Sequence, residues 1–171
     1  RTYTVETDAL SVEGLPRPVE PMGHGEALLV MDANILRLGD GRLLAPMYGT
    51  FRGDAARHSK ARGQDGAAGY SLVLTESADG RAWRYVTTIA DWTAMPDTPE
   101  GPDESSLVEL ADGSLMIVFR VGCFEANPLR KACSRDGGRT WSAPEPLPAF
   151  SVYPSLVRTA SGVLVLTTGR P

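Results

Sequence analysis

The stretch Glu104-Ser105-Ser106-Leu107-Val108-Glu109-Leu110-Ala111-Asp112-Gly113-Ser114-Leu115-Met116-Ile117-Val118-Phe119-Arg120 decides the fold. It reads as a β-hairpin. Asp112-Gly113 is a dipeptide that tight hairpin turns favour, because glycine reaches positive φ without a Cβ clash, and apolar runs flank it at Leu107-Val108 and Leu115 to Phe119. An antiparallel ladder closed at that turn brings Glu104 and Arg120, equally far from Asp112, to the same open end. A carboxylate and a guanidinium are therefore expected as cross-strand neighbours.

The same frame fits the chain twice more, from Ile35 to Leu44 around Asp40-Gly41 and from Leu156 to Val165 around Ser161-Gly162. The turn glycines Gly41, Gly113 and Gly162 recur at intervals of several tens of residues, the range of solenoids, propellers and arrays. Counting nine residues back from each glycine lands on Asp32, Glu104 and Tyr153 and seven forward on Tyr48, Arg120 and Gly169, so these six positions are expected to share one structural location.

The chain has 171 residues, 42% hydrophobic and 22% charged, ordinary for a globular domain. No apolar run approaches the roughly 20 residues of a membrane-spanning helix. The sequence opens on Arg1, so the missing signal-peptide pattern says nothing about export. A net charge of −4 argues against nucleic acid as a partner, since phosphate-backbone binding draws on clustered Lys and Arg. With only His24 and His58, and no HExxH or CxxC, neither a metal nor another cofactor is expected. Cys123 and Cys133 flank the turn-like Glu125-Ala126-Asn127-Pro128; they read either as two half-buried free thiols or as a pair facing each other across a hairpin.

Taken in order, residues 1–10 alternate as one short strand, the outer member of a sheet whose other strands are missing. A proline-rich connection follows from Gly14 to Pro21. The first unit then runs strand, turn, strand to Tyr48, a polar insert from Phe51 to Ala68, and strands at Tyr70 to Thr75 and Trp83 to Ile89. The insert's Arg52, Arg57, His58, Lys60 and Arg62 read as a solvated surface or as a rim attracting an anionic substrate. A second four-stranded unit begins at Glu104, and a third delivers two strands from Tyr153. Four antiparallel strands per unit, apolar on both faces, suit propeller blades. The expected division is a lead-in strand and loop over 1–24, a blade over 25–95, a second blade over 96–152 and an incomplete blade over 153–171.

Ser134-Arg135-Asp136-Gly137-Gly138-Arg139-Thr140-Trp141 matches S-x-D-x-G-x-T-W, the Asp-box of bacterial neuraminidase repeats, at every fixed position; Ser77-Ala78-Asp79-Gly80-Arg81-Ala82-Trp83 is a version one residue short. As a turn it is physically sensible, since Ser and Asp bond local backbone, glycine permits positive φ and Trp anchors the turn. With the stretch Pro102 to Gly113 and Arg120, the chain resembles the sialidase (exo-α-sialidase, neuraminidase) superfamily of Asp-box, or BNR, repeat proteins from about Ala27 onward. The resemblance implies an all-β, six-bladed β-propeller of which this chain covers roughly two and a half blades. The remaining blades would come from a longer chain or other copies.

By resemblance, Glu104 is the base that activates a tyrosine nucleophile, and Arg120, sixteen residues on, clamps a sugar carboxylate. The chemistry is coherent: sialidases replace the usual second carboxylate with Tyr, and the planar guanidinium binds a carboxylate bidentately. Asp32, Tyr48 and Tyr153 are expected to line the site and contact substrate. The implied activity is retaining hydrolysis of terminal sialic acid or a related acidic sugar from glycoconjugates, with secretion or a periplasmic location. Two alternatives stand beside it, an exoglycosidase of the same fold acting on another sugar and a non-catalytic carbohydrate-binding propeller. The family's early arginine, its aspartate acid/base and its later arginine and tyrosine have no match here. The alternative to this role is that Glu104 and Arg120 form only a structural pair at a hairpin end.

Overall fold

The structure, a computed structural model, describes residues 2–6, 11–22, 26–27, 29–31, 35–54, 69–95, 98, 100–122 and 127–169. Among these the chain is all-β apart from one 3-10 turn, Trp92–Ala94. The strands are β1 Tyr3–Glu6, β2 Ser11–Leu15, β3 Pro21–Met22, β4 Glu26–Ala27, β5 Leu36–Arg37, β6 Leu43–Thr50, β7 Tyr70–Ser77, β8 Ala82–Asp91, β9 Pro102–Glu109, β10 Leu115–Val121, β11 Pro128–Ser134, β12 Glu145–Phe150, β13 Ser155–Arg158 and β14 Leu164–Thr167. They form a six-stranded sheet in the order β1-β2-β8-β7-β6-β5, a four-stranded sheet β12-β11-β10-β9, and the pairs β13-β14 and β3-β4.

The three glycine turns are the same turn. Gly41, Gly113 and Gly162 have φ of 90°, 80° and 87°. Their N–H groups donate to Leu38, Leu110 and Thr159 carbonyls at 3.0, 3.1 and 2.9 Å. The closing bonds also agree, from Leu38 N to Arg42 O, Leu110 N to Ser114 O and Thr159 N to Val163 O at 2.9, 2.8 and 2.9 Å. Since side chains alternate along a strand, a shared turn fixes which residues point to which face.

The faces then stack by rule. On the first hairpin Leu36, Leu38 and Leu44 join a core with Leu107, Leu115, Ile117 and Phe119 of the second. On the second, Val108, Leu110, Met116 and Val118 point the other way and pack with Leu156 and Leu166 of the third. Ala45 and Met47, the counterparts of Ile117 and Phe119, pack with Val12, Leu15, Val19 and Phe51. Burying such aliphatic side chains is worth about 1.5–3 kcal/mol each, so these two-sided hairpins hold the sheets together.

The two Ser-x-Asp turns share one network although one is a residue shorter. Ser134 Oγ accepts from Gly138 N at 2.9 Å, Asp136 Oδ1 accepts from Arg139 N and Thr140 N at 3.0 and 2.9 Å, and Trp141 Nε1 donates to Gly138 O at 3.0 Å. In the shorter turn Ser77 Oγ accepts from Gly80 N at 2.9 Å, Asp79 Oδ1 from Arg81 N and Ala82 N at 2.8 and 3.0 Å, and Trp83 Nε1 donates to Gly80 O at 3.2 Å. Trp83 is buried, whereas Trp141 stays half-buried. Gly138 has φ 91°, and a Cβ there would collide with Leu74, so this turn seats directly on the first sheet.

Three expectations change. The N-terminal strand has its sheet neighbours: β1 pairs β2, and β2 runs parallel to β8 with Val12 opposite Trp83. The proline-rich segment is tied down rather than a plain connection, because Arg17 bonds both Asp54 carboxylate oxygens at 2.8 and 2.6 Å and lies 5.0 Å over the Phe51 ring. Asp54 is thus buried at the start of the insert, whose residues 55–68 lie outside the described residues. Finally, Tyr48 pairs with Val30 through two backbone bonds of 2.8 and 2.9 Å, so the first hairpin slips two residues from the register that would face Tyr48 with Asp32.

Candidate functional site

Strands β9 and β10 pair in the expected register, with Leu115 opposite Glu109, Ile117 opposite Leu107 and Phe119 opposite Ser105. Beyond Phe119 the ladder shifts so that Val121 faces Pro102. At this irregular end Arg120 Nη1 donates to Glu104 Oε1 at 3.0 Å, with side-chain exposures of 14% and 9%. The pair lies on the face that carries Val108 and Val118, and so points toward the third hairpin.

That orientation gives Glu104 a second donor. Its Oε2 accepts the Tyr153 backbone N–H at 2.9 Å, and two residues along the same row Ser106 Oγ accepts the Leu156 N–H at 2.9 Å. The side chains of β9 thereby satisfy backbone donors of the neighbouring segment. Tyr153 is the non-glycine residue with positive φ among those described, at 49°, and its side chain is exposed at 64%. A left-handed backbone costs a non-glycine residue roughly 1–2 kcal/mol, so the Glu104 bond holds a conformation the tyrosine alone would leave.

The structure thus brings together Glu104, Arg120 and Tyr153. Tyr48 sits on the adjacent sheet, half-buried against the core shared by the first two hairpins, with its ring edge-on to Tyr70 at 5.2 Å and 79°. Asp32 lies outside the described residues. Cys133 is a free, half-buried thiol, and Cys123 lies outside the described residues. Among the described residues no group of three His, Cys, Asp or Glu is placed to hold a metal ion.

Sequence reasoning missed Ser106 and Glu100. Ser106 belongs to the same alternating row as Glu104 and Val108, so the period-two pattern held the signal. Glu100 is 6% exposed, its carbonyl accepts the Tyr70 N–H at 2.7 Å, and its Oε2 has no hydrogen-bond partner. A buried carboxylate oxygen left open is costly and marks this end of β9 as polar ground. A separate cleft of about 490 Å³, lined by Lys131, Cys133, Arg135, Trp141 and Glu145, borders the Asp136 turn, which adjoins the opposite end of β10 from Arg120.

Scanned against protein-family profiles the chain matches none, and no curated protein sequence matches it. Solved structures do. A protein of unknown function from Dyadobacter fermentans is similar at TM-score 0.68 and 20% identity, over 89% of this chain and 37% of that one. The intramolecular trans-sialidase of Ruminococcus gnavus, solved with oseltamivir carboxylate, is similar at TM-score 0.49 and 21% identity, over 81% and 25%. An ulvan lyase, a polysaccharide lyase, is similar at TM-score 0.41 and 16% identity, over 74% and 25%. The first likeness is one of fold, and the chain spans little more than a third of that protein.

Proposed function

We propose that this chain supplies roughly two and a half blades of a six-bladed, sialidase-like β-propeller that hydrolyses a terminal sialic acid or related acidic sugar with retention. The observation that carries the reading is the part-buried Glu104–Arg120 pair, 3.0 Å apart at the open end of a hairpin and bonded onward to the next one. Arg120 offers a planar fork to the sugar carboxylate. The arriving carboxylate competes with Glu104 Oε1 for that fork, and the released Oε1 is then able to take the phenolic proton of a tyrosine nucleophile as its oxygen attacks the anomeric carbon. Tyr153, whose backbone N–H bonds Glu104 and which is exposed, would offer its ring as a face for the sugar. The nucleophile and the acid that protonates the leaving group belong to polypeptide this chain does not match.

One observation favours a second reading, a carbohydrate-binding propeller without turnover: both Glu104 oxygens already accept hydrogen bonds, as a purely structural carboxylate would. A panel of aryl glycosides, sialosides included, offered to the longest native polypeptide and its Glu104→Gln variant separates the readings. Sialoside cleavage lost in the variant supports the proposal. Cleavage of another sugar replaces the substrate, and no cleavage by the wild type leaves binding alone.

A further inference from the structure

The two Ser-x-Asp turns are covered differently. In the first unit β2 runs beside the turn tryptophan, with Val12 opposite Trp83, and Trp83 is 1% exposed. In the second unit the outer strand is β12, and among the described residues no strand pairs with its far edge. Pro144, Pro146 and Pro148 stand there at alternate positions, and each lacks the N–H that a further strand would need. The half-buried Trp141 is thus left beside the cleft of about 490 Å³, a size suited to a small ligand. Trp141 Nε1 is committed to Gly138 O at 3.0 Å, so the indole offers the cleft its ring surface. Lys131 and Arg135 bring two cations to the same walls. Lys131 meets Glu145 at 3.4 Å in a pair exposed at 37% and 65%, which solvent weakens, and Arg135 enters no salt bridge among the described residues. Ser142 is fixed at the rim by bonds of 3.1 and 2.9 Å with the Cys133 backbone.

We propose that this cleft binds a sugar ring carrying a sulfate or phosphate ester, at a site separate from Glu104 and Arg120. The ring would lie on Trp141, and the ester oxygens would take Lys131 and Arg135. A planar carboxylate is filled by one guanidinium fork, whereas a tetrahedral ester presents three oxygens that two cations can hold from different sides. The local charge agrees, since two cations face the single Glu145 carboxylate in a chain of net charge −4. An inorganic anion alone would leave the indole unused, and a neutral sugar would leave both cations unused. The inference rests on neither the propeller reading nor the proposed hydrolysis, because the walls of the cleft belong to β11, the Ser-x-Asp turn and the start of β12.

The free Cys133 thiol lines the same cleft and reports on its occupancy. The test follows alkylation of Cys133 by neutral iodoacetamide, read by mass spectrometry, in the longest native polypeptide with Cys123→Ser. The probes are glucose, galactose and N-acetylglucosamine, each unmodified and as the sulfate and phosphate monoesters of its primary hydroxyl, beside inorganic sulfate and phosphate. A saturating ester should slow alkylation by about tenfold or more, and the better ester identifies the anion. Neither the parent sugars nor the inorganic ions should do so. Arg135→Ala should remove the protection, and Arg120→Ala should keep it. A thiol that does not react in the native protein would show the cleft closed and overturn the site. No protection by any ester, equal protection by a parent sugar or an inorganic ion, or protection lost in Arg120→Ala would overturn it as well. None of these outcomes depends on whether the protein cleaves a sialoside.

Discussion

Glu104 has one duty that the structure shows and one that the proposed function adds, and the two pull against each other. As a carboxylate between a guanidinium at 3.0 Å and a backbone N–H at 2.9 Å it ties two hairpins together, and in the proposed role of base it would have to let one of them go. The Glu104→Gln change puts an amide NH₂ where one of these donors now points, and an unmade buried hydrogen bond costs about 1–3 kcal/mol. Denaturant melts should therefore show Glu104→Gln less stable than wild type by that amount; an unchanged midpoint would contradict the tie. Tyr153 separates structure from binding in the opposite way. Tyr153→Gly keeps the N–H on Glu104, relieves the φ of 49° and removes the exposed ring. Its melting point should stay level or rise, while affinity for the sugar drops several-fold in a titration. A loss of stability with affinity intact would mean that the ring packs rather than binds.

At the scale of the element, the turns carry the information. The Asp112-Gly113 hairpin, its two counterparts and both Ser-x-Asp turns were legible because each is a local conformation enforced by residues close together in the chain. The missed features are those that local chemistry does not encode. Nothing in Ser11 to Leu15 says that this strand will run parallel to β8, and the two-residue slip opposite Tyr48 depends on what the first hairpin packs against. The longer Ser-x-Asp turn also titrates. The Thr140 hydroxyl first, then the Thr140 N–H, the Ser134 hydroxyl and the Arg139 N–H hold the Asp136 carboxyl down from 3.8 to about 2. A depressed carboxyl stabilises the fold above its unfolded value and loses that contribution as pH falls through its folded value. Wild type should accordingly out-melt Asp136→Asn at pH 6, with the gap closing as pH falls from about 4 to 2. A gap independent of pH would assign the turn's stability to geometry and not to charge.

At the scale of the molecule, one alternation explains both the core and the site. Fixing the turn glycine sends Val108, Ser106 and Glu104 to the same face, so the row that buries aliphatic surface at one end delivers the carboxylate at the other. The pairing of Glu104 with Arg120 was legible in sequence for this reason, while the bond from Glu104 to Tyr153 needed the packing of one sheet on the next. The central claim is that this delivered pair receives an anionic sugar. The most direct measurement is a calorimetric titration of the longest native polypeptide and its Arg120→Ala variant with free sialic acid and with its methyl ester. The account predicts that wild type prefers the acid by at least tenfold, about 1.4 kcal/mol, and that the variant binds acid and ester equally. Equal affinity of the wild type for acid and ester would contradict it.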